Sequence, residues 1–552
     1  MPRSRPEMRF LYITILSLFA LFLLVPLIIL FVRSFGIGER VTADHYLSVL
    51  ANKEMAASFI NSIKISALTG IITTALAFIL AYSIHCTRLF QPLKSMIKAG
   101  VLIPMLLPTI TYGFAIMYSF GNQGLITSIF GDSLFNIYGF NGLLIGYVIY
   151  TIPAAFLLIS NSFIYIDKKF IVVSHLMGDG NVRSFWNTII RPLLGTLGGA
   201  YVLSFILSFT DFGIPASIGG TYSVAATQLY QVMLGSIPDF NNGAVIAVLM
   251  LMPAILGVML LNYLEKFNFH YENFSQIELV PNTYRDVSLG LISSLILAGI
   301  LSIFAVMLIA PFLNSFPYDM TFTFKHFETI LQSGDLLAVY RNSLLIAVLT
   351  AIGGTLLAYC SALLNVRTPL KGRKAMDAVS MMTNTVPGMV LGISYLLLFN
   401  GSSLQGTFMI IILCNMVHYF TTPYLMAKNS LMKMNPTWET TGELLGDSWV
   451  KTVYRVIVPN SVKTLLEMFS YYFINSMVTI SGIIFLVTVQ TSVVASKIKE
   501  LQHFAKFNEI FVLSLLIFAT NLVVKVFCDY LQKERSMNLS LKTINRSEEK
   551  VS

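Results

Sequence analysis

The chain has 552 residues, of which 55% are hydrophobic and only 11% are charged. Soluble domains carry roughly 25% charged residues, so this composition excludes a soluble enzyme or binding module and indicates a bilayer protein. The formal net charge of +9 does not indicate nucleic-acid binding, because the basic residues gather beside apolar runs on one predicted side of the membrane.

Apolar runs of about 20 residues predict membrane-spanning helices along the whole chain. The first run is too long for a signal-peptide core, so we predict a retained helix. Basic clusters at 3–9, 88–98 and 367–374 place both termini on the cytoplasmic side of a cell-membrane protein. We predict twelve spans, at approximately 10–32, 60–84, 99–118, 142–164, 193–212, 244–264, 287–313, 341–363, 377–399, 406–427, 464–487 and 509–530.

A charged loop that occurs twice is the clearest internal repeat. Leu176 to Pro192 reads LMGDGNVRSFWNTIIRP, and Leu444 to Pro459 reads LLGDSWVKTVYRVIVP. Lipid contact does not explain charged loops. Each lies on the predicted cytoplasmic side, where a short amphipathic helix suits a groove on a partner protein. The alternative is a helix that lies on the lipid headgroups. Because the loop occurs in both halves, we favour a partner protein with two equivalent grooves.

Other features repeat in the same order. Asn61-Ser62 opens the second span and Asn342-Ser343 opens the eighth. We predict two six-helix halves related by a pseudo-twofold axis, with a pathway between them. The predicted boundaries are a first half at 1–264 with its loop at 165–192, a linker at 265–286, a second half at 287–535 with its loop at 428–460, and a polar tail at 536–552.

Prolines within the spans predict broken helices, which survive in a membrane where they line a cavity. Pro108 and Pro387 fall at matching places in the third and ninth spans, and Pro153 and Pro423 are predicted to interrupt the fourth and tenth. A packing kink is the alternative for any one of them. Broken-helix N-termini at Pro108, at Gly213 to Pro215 and at Pro387 could hold an anion.

Two charged residues are candidates for the pathway, because charge inside a membrane is costly. Asp211, near the outer end of the fifth span, is predicted either to gate or pair with a substrate amine, or to form a helix-end hydrogen bond. Arg341, beside Asn342 at the start of the eighth span, could attract an anion or extend to headgroups. We slightly favour a membrane part without a tight substrate site.

The second loop resembles the Glu-Ala-Ala loop of binding-protein-dependent ABC importer permeases. Glu439, Gly446, Val456 and Pro459 keep the family spacing, with Thr440 and Thr441 in place of the alanines. The first loop has Ile171 where Glu is expected, and Pro192 lies one residue later than the spacing requires. The resemblance implies that each loop couples to an ATP-binding subunit, and assigns that role to Gly178, Asp179, Pro192, Glu439, Gly446, Asp447 and Pro459.

The resemblance covers essentially the whole chain. It implies an all-α membrane protein of the type I importer permease fold, with about 12 helices in two halves. It also implies an ATP-binding subunit dimer and an extracytoplasmic substrate-binding protein as partners, with no nucleic acid. The sequence has no Gly-x-x-x-x-Gly-Lys-[Ser/Thr] motif, which would bind the phosphates of ATP. We therefore expect that the chain is not an enzyme and holds no cofactor, and that ATP and Mg bind to the partner subunit.

Cargo is predicted from three segments that look most like 2-aminoethylphosphonate permeases: Thr210 to Val245, Lys371 to Asn400 and Tyr471 to Leu486. Ferric-iron permeases share the Asp-Phe-Gly-x-Pro sequence at Asp211, so ferric-iron import is the near alternative. An ion-coupled secondary carrier or a polytopic membrane enzyme is a more distant alternative. A carrier gives no reason for duplicated docking loops, and the scattered histidines do not favour an enzyme.

Overall fold

The computed structural model describes residues 6–36, 42–133, 135–167, 169–267, 282–368, 370 and 372–548, without the side chains of 175, 265 and 534–548. Most of the predicted linker and the end of the tail, at 268–281 and 549–552, lie outside the described residues. Within them the protein is an all-α membrane protein apart from one short hairpin.

The first fourteen α-helices are α1 (Pro6–Phe19), α2 (Val25–Ser34), α3 (Asp44–Ala51), α4 (Lys53–His85), α5 (Gln91–Leu102), α6 (Thr109–Phe120), α7 (Leu125–Phe130), α8 (Phe140–Phe163), α9 (Lys169–Leu176), α10 (Asn181–Phe185), α11 (Arg191–Thr210), α12 (Gly213–Ile218), α13 (Ala225–Leu234) and α14 (Phe240–Leu264).

The chain continues with α15 (Thr283–Ile309), β1 (Leu313–Ser315), β2 (Asp319–Phe322), α16 (Lys325–Gln332), α17 (Gly334–Arg367), α18 (Arg373–Thr385), α19 (Gly388–Phe399), α20 (Phe408–His418), α21 (Thr421–Met432), α22 (Thr437–Leu444), α23 (Trp449–Thr452), α24 (Val458–Asn460), α25 (Val462–Val478), α26 (Val494–His503) and α27 (Phe507–Glu548). The two strands pair antiparallel. Short 3₁₀ segments occupy Ile103–Leu106, Glu265–Phe267 and Ala310–Phe312, and π-turns occupy Ala20–Leu24, Trp186–Ile190 and Val453–Ile457.

The structure agrees with eleven of the twelve predicted spans and shows that three of them are bent helix pairs. Among the described residues, eight helices are long and apolar enough to cross a membrane, and three bent helix pairs raise the number to eleven. The third and ninth predicted spans bend by 109° and 102°, and the tenth by 53°. The predicted span 464–487 is helical only over the 17 residues of α25, because the chain turns to extended backbone at Thr479.

Proline explains two of these bends. The residue before a proline is pushed out of the α region by the ring, and Leu107 and Val386 are both extended. New helices then start after Pro108 and Pro387. The expected interruption at Pro153 is wrong, since α8 runs through it; a packed helix tolerates the loss of one backbone bond. In the tenth span the break precedes Pro423, which lies in the first turn of α21.

The chain forms two compact units that do not coincide with the sequence halves. One unit comprises residues 1–30, 334–497 and 516–552, and the other comprises 31–333 and 498–515. In the first unit, Phe19 packs edge-on against Phe420 with ring centroids 4.5 Å apart. In the second, the hydroxyl of Ser293 donates to that of Ser83 at 2.8 Å. Each sequence half therefore has its first span packed among helices of the other half.

Candidate functional site

Both charged loops form the same helix-ending turn. Gly178 and Gly446 adopt left-handed backbone, with φ of +84° and +78°, a conformation that favours glycine. The next amide then reaches back across the turn: Asp179 N–H donates to Ser174 C=O at 3.1 Å, and Asp447 N–H donates to Gly442 C=O at 2.8 Å. This C-cap satisfies carbonyls at the ends of α9 and α22, so the repeated glycine fixes the shape of each loop.

The repeated aspartate then joins the turn to the next short helix. Asp179 accepts from the hydroxyl of Ser174 at 2.7 Å and pairs with Arg183 at 3.2 Å. Asp447 pairs with Lys451, also four residues on. The carboxylates therefore act within their own loops, and the charged part of the repeat orders the turn.

Each loop exposes four apolar side chains. They occupy matching positions 268 residues apart, and each is more than half exposed. The first set, called here the first tip, is Leu176, Met177, Val182 and Trp186; the second tip is Leu444, Leu445, Val450 and Tyr454. A repeated apolar surface held by an ordered turn is suited to a groove on another protein.

A π-turn leads from each loop into the next span. Trp186–Ile190 precedes α11, and Val453–Ile457 precedes α24 and α25. Pro192 lies in the first turn of α11 and Pro459 in α24. The backbone stays helical through each π-turn, from Asn181 to Thr210 in the first loop, and a π-turn accommodates the missing proline N–H within such a helix. The two prolines therefore lie where each loop enters its next span.

Glu439 separates the two loops chemically. Its two carboxylate oxygens accept from Nε and Nη2 of Arg367 at 2.5 and 2.6 Å. The guanidinium, 5% exposed, also donates to the carbonyls of Met434 and Asn435. The carboxylate is thus bound to the end of α17, an arrangement that the sequence analysis missed because it treated Arg367 only as part of a topological cluster. Ile171 in the first loop has no carboxylate to offer.

Close backbone contacts join the helix breaks in each half. A Cβ on Gly213 would lie 2.1 Å from the Thr109 hydroxyl, directly after Pro108. In the second half a Cβ on Gly392 would lie 2.1 Å from the carbonyl oxygen of Gly482. Glycine is required at such approaches because any side chain would collide. The helices that start after Pro108 and Pro387 therefore each contact the segment that follows the fifth span of their half.

Asp211 lies in the first of these contacts. It is 7% exposed, and its Oδ2 accepts from the backbone N–H of Ile214 at 2.9 Å. The hydroxyl of Thr109 and the N–H of Gly213 lie beside the same carboxylate. The carboxylate therefore occupies the N-terminal ends of α6 and α12, which supports the helix-end role over substrate pairing. Pro215 is buried within α12.

The repeated Asn-Ser pairs hold the segments that follow these contacts. In the first half, Asn61 donates to Ser223 C=O at 3.1 Å, and Ser62 accepts from the N–H of Ala225 at 2.8 Å. In the second half, Asn342 donates to the carbonyls of Gln490 and Ser492 at 3.3 and 3.2 Å, and Ser343 accepts from Val494 N–H at 2.8 Å. Each long span thus anchors the first turn of α13 or α26.

The structure adds one cation to the residues identified by sequence. Lys499 in α26 donates from Nζ to the carbonyl of Ala216 at 2.9 Å and to Gln502 at 3.0 Å. Burial lowers the pKa of this amine from its usual value. A basic residue at carbonyls that end a short helix is favourable, but no sequence spacing connects position 499 with position 216. Arg341, by contrast, is exposed, as expected of a residue that extends to headgroups.

Comparison with known proteins adds to this geometry. Residues 352–536, which include the second loop, match the family described as "Binding-protein-dependent transport system inner membrane component". The ferric transport system permease protein FbpB of Actinobacillus pleuropneumoniae is 26% identical, over 88% of this chain and 72% of the relative. A Haemophilus influenzae protein named for ferric transport, FbpB 1, is 25% identical over 87% of this chain and 78% of its own length.

A shorter match comes from a permease named for another cargo. The spermidine/putrescine permease PotC homolog of Mycoplasma genitalium is 25% identical over 34% of this chain and 62% of that protein. The described residues contain apolar spans along the chain. Proteins named as transport permeases align with 87–88% of its length. The chain is therefore similar to membrane permease subunits of binding-protein-dependent importers, by a family match over residues 352–536 and by relatives that align over most of its length.

Proposed function

We propose that this permease imports ferric iron. The observation that carries this proposal is the extent of the similarity to proteins named for ferric transport, which spans 86–88% of this chain in three relatives. The relative with another cargo described above matches only a part of the chain. Iron is the cargo here and not a resident cofactor.

Import of 2-aminoethylphosphonate is the second candidate. Three segments, from Thr210, Lys371 and Tyr471 onward, support it by their resemblance to phosphonate permeases. One of them contains Asp211, which the ferric permeases share and which lies here in a helix cap. The segment resemblance is therefore weaker support than near-full-length similarity, and phosphonate ranks below iron.

The two apolar tips are the proposed docking elements for a dimer of ATP-binding subunits. Eight exposed side chains in two matching sets suit two equivalent grooves. ATP and Mg would be bound by that dimer, and the cargo would be delivered to the opposite face by a substrate-binding protein. The loops and both termini then lie in the cytoplasm, in agreement with the basic clusters.

Transport is proposed to follow alternating access. Closure of the ATP-binding dimer displaces the loops, and the broken helices beside Gly213 and Gly482 open or close a pathway. Among the described residues, those segments are held mainly by backbone contacts and neutral side chains, with Asp211 and Lys499 as charged contacts. Cargo selection therefore falls mainly to the external binding protein.

Reconstitution tests this function. The purified chain would be placed in liposomes with its ATP-binding subunit and its binding protein, and ATP-dependent uptake of radiolabelled ferric iron and of radiolabelled 2-aminoethylphosphonate would be measured. We expect iron uptake that requires both partners. Phosphonate uptake without iron uptake would replace the cargo, and uptake by the chain alone would overturn the importer function.

A further inference from the structure

Helix α17 connects the second loop with the second helix break. It runs without interruption over 34 residues, which corresponds to about 50 Å at 1.5 Å per residue. Arg367, its last residue, and Asn342, two turns from its other end, bind segments to which the proposed function gives different tasks. Its basic end meets the ATP-coupling loop, and its other end meets the segment beside the pathway.

At the basic end the contact is a bidentate ion pair with further hydrogen bonds. Arg367 binds both oxygens of Glu439 and two loop carbonyls. Its planar guanidinium fixes the direction of these bonds, unlike a lysine amine. Because the arginine is almost fully buried, loss of either charge would leave the other unpaired in a poorly hydrated place. The loop cannot move far from α17 while this pair persists.

At the opposite end the contacts are made by neighbouring residues. Asn342 donates to the carbonyls of Gln490 and Ser492, and Ser343 accepts the first amide of α26. These bonds hold the segment that starts at the break after Val478 and includes Gly482. Displacement of α17 along its axis therefore displaces this segment.

The first half keeps the Asn-Ser attachment but has other residues at the two positions of the ion pair. Helix α4 matches α17 at a constant separation of 281 residues, from Asn61 and Asn342 to Thr87 and Thr368, and both threonines bond back to the carbonyl four residues earlier. The Asn-Ser anchor is present in both helices. The residue that corresponds to Arg367 is Cys86, directly after α4, and the residue that corresponds to Glu439 is Ile171. Both members of the ion pair are thus replaced together.

We propose that α17 is a rigid connecting element that transmits movement of the second coupling loop to the pathway segment, with Arg367 and Asn342 as positioning residues at its two ends. This inference rests on the proposed importer function. Two attachments on one rigid helix form the contiguous physical link that coupling between distant sites requires. The first half has Cys86 and Ile171 at the positions of Arg367 and Glu439, so this particular ion pair belongs to the second half.

Charge exchange tests the ionic attachment. Arg367→Glu, Glu439→Arg and the double exchange would be made in the full chain, reconstituted with both partners, and cargo uptake per ATP hydrolysed would be measured. We expect each single variant to lose about fivefold or more, and the double exchange to recover most of the loss. Binding of the ATP-binding subunit is measured in parallel. Singles that couple normally, or a double exchange no better than the singles, would overturn the inference.

A double-mutant cycle tests the connection between the two ends. Arg367→Glu would be combined with Asn342→Leu, and with Asn61→Leu in the first half as the matched control. If both ends act through one helix, Arg367→Glu with Asn342→Leu loses no more uptake per ATP hydrolysed than the worse of the two single variants. In the control, Arg367→Glu with Asn61→Leu, the two fold-losses multiply. Multiplied losses in both combinations would overturn the connection. Absence of uptake by the unaltered complex would instead count against the proposed function itself.

Discussion

The carboxylate of Asp211 accepts a hydrogen bond from the backbone N–H of Ile214 at 2.9 Å, whereas the second half has Ile480 at the matching position. One break is therefore closed by a buried anion and the other is not. An anion at this position also counters the positive N-terminal ends of α6 and α12. The first half thus offers no open helix end to an anionic cargo at this point.

Substitution of Asp211 separates a capping role from a gating role. Asp211→Ala removes the acceptor and is expected to lower the free energy of unfolding by about 1–2 kcal/mol. Asp211→Asn keeps an oxygen acceptor, so we expect a smaller loss of stability and nearly normal uptake. Thermal unfolding in detergent and uptake in liposomes are the two measurements. Normal stability with abolished uptake in Asp211→Asn would contradict the capping role and support gating.

The two loop glycines provide a comparison between the halves. A Cβ on either one would meet open space, and both have positive φ, so the strain of an added side chain is similar, about 1–2 kcal/mol. Because only the second loop is bound through Glu439, we expect Gly446→Arg to reduce uptake per ATP hydrolysed more severely than Gly178→Arg. Equal or reversed effects in the same liposome assay would contradict the inequality between the loops.

The apolar tips are testable without loss of folding. Met177→Asp and Leu445→Asp alter side chains that are 80% and 77% exposed, so their effect on unfolding is expected to lie within about 0.5 kcal/mol. We expect each to weaken binding of the ATP-binding subunit, measured by copurification and by stimulated ATPase activity. Ile237→Asp, at a position 89% exposed between α13 and α14, is the matched control. Normal binding by both tip variants would contradict the docking role.

The anchoring serines have a control within the same helix. Ser62 accepts the N–H of Ala225, whereas the hydroxyl of Ser66, one turn later and equally buried, has no hydrogen-bond partner among the described residues. Ser62→Ala leaves a buried amide unpaired and is expected to cost about 1–3 kcal/mol. Ser66→Ala is expected to be neutral or stabilising. Equal unfolding temperatures for the two variants would show that the Ser62 bond does not anchor α13.

Much of this arrangement was accessible from sequence, because local signals determine it. Pro108 and Pro387 predicted breaks, and the Leu-x-Gly-Asp repeat predicted the paired turns. The bond between Arg367 and Glu439 was not predicted, since the residues lie 72 positions apart. Arg367 had been interpreted only as one of the basic residues that mark the cytoplasmic side. The cargo was assigned to phosphonate from short segments, whereas similarity over most of the chain favours ferric iron.

The placement of the first spans was also missed, for a different physical reason. Apolar periodicity identifies a helix but not its neighbours, because any lipid-compatible face suits several partners. The turn at Val478 was missed because an apolar run of sufficient length does not reveal extended backbone. Pairing between distant helices is thus the part of this fold that one sequence leaves undetermined.

The exchanged first spans have a consequence for biosynthesis. The hydroxyl of Tyr395 donates to the carbonyl of Phe22 across 373 residues of sequence, so α1 leaves the ribosome long before its packing partners exist. The amino-terminal half alone lacks α15, and its own first helix lacks α17 and Phe420, on which it packs. Newly inserted chains must therefore wait in the bilayer until translation is well advanced. Fusion of the halves into one polypeptide guarantees that the awaited partner arrives in the same membrane, at equal stoichiometry.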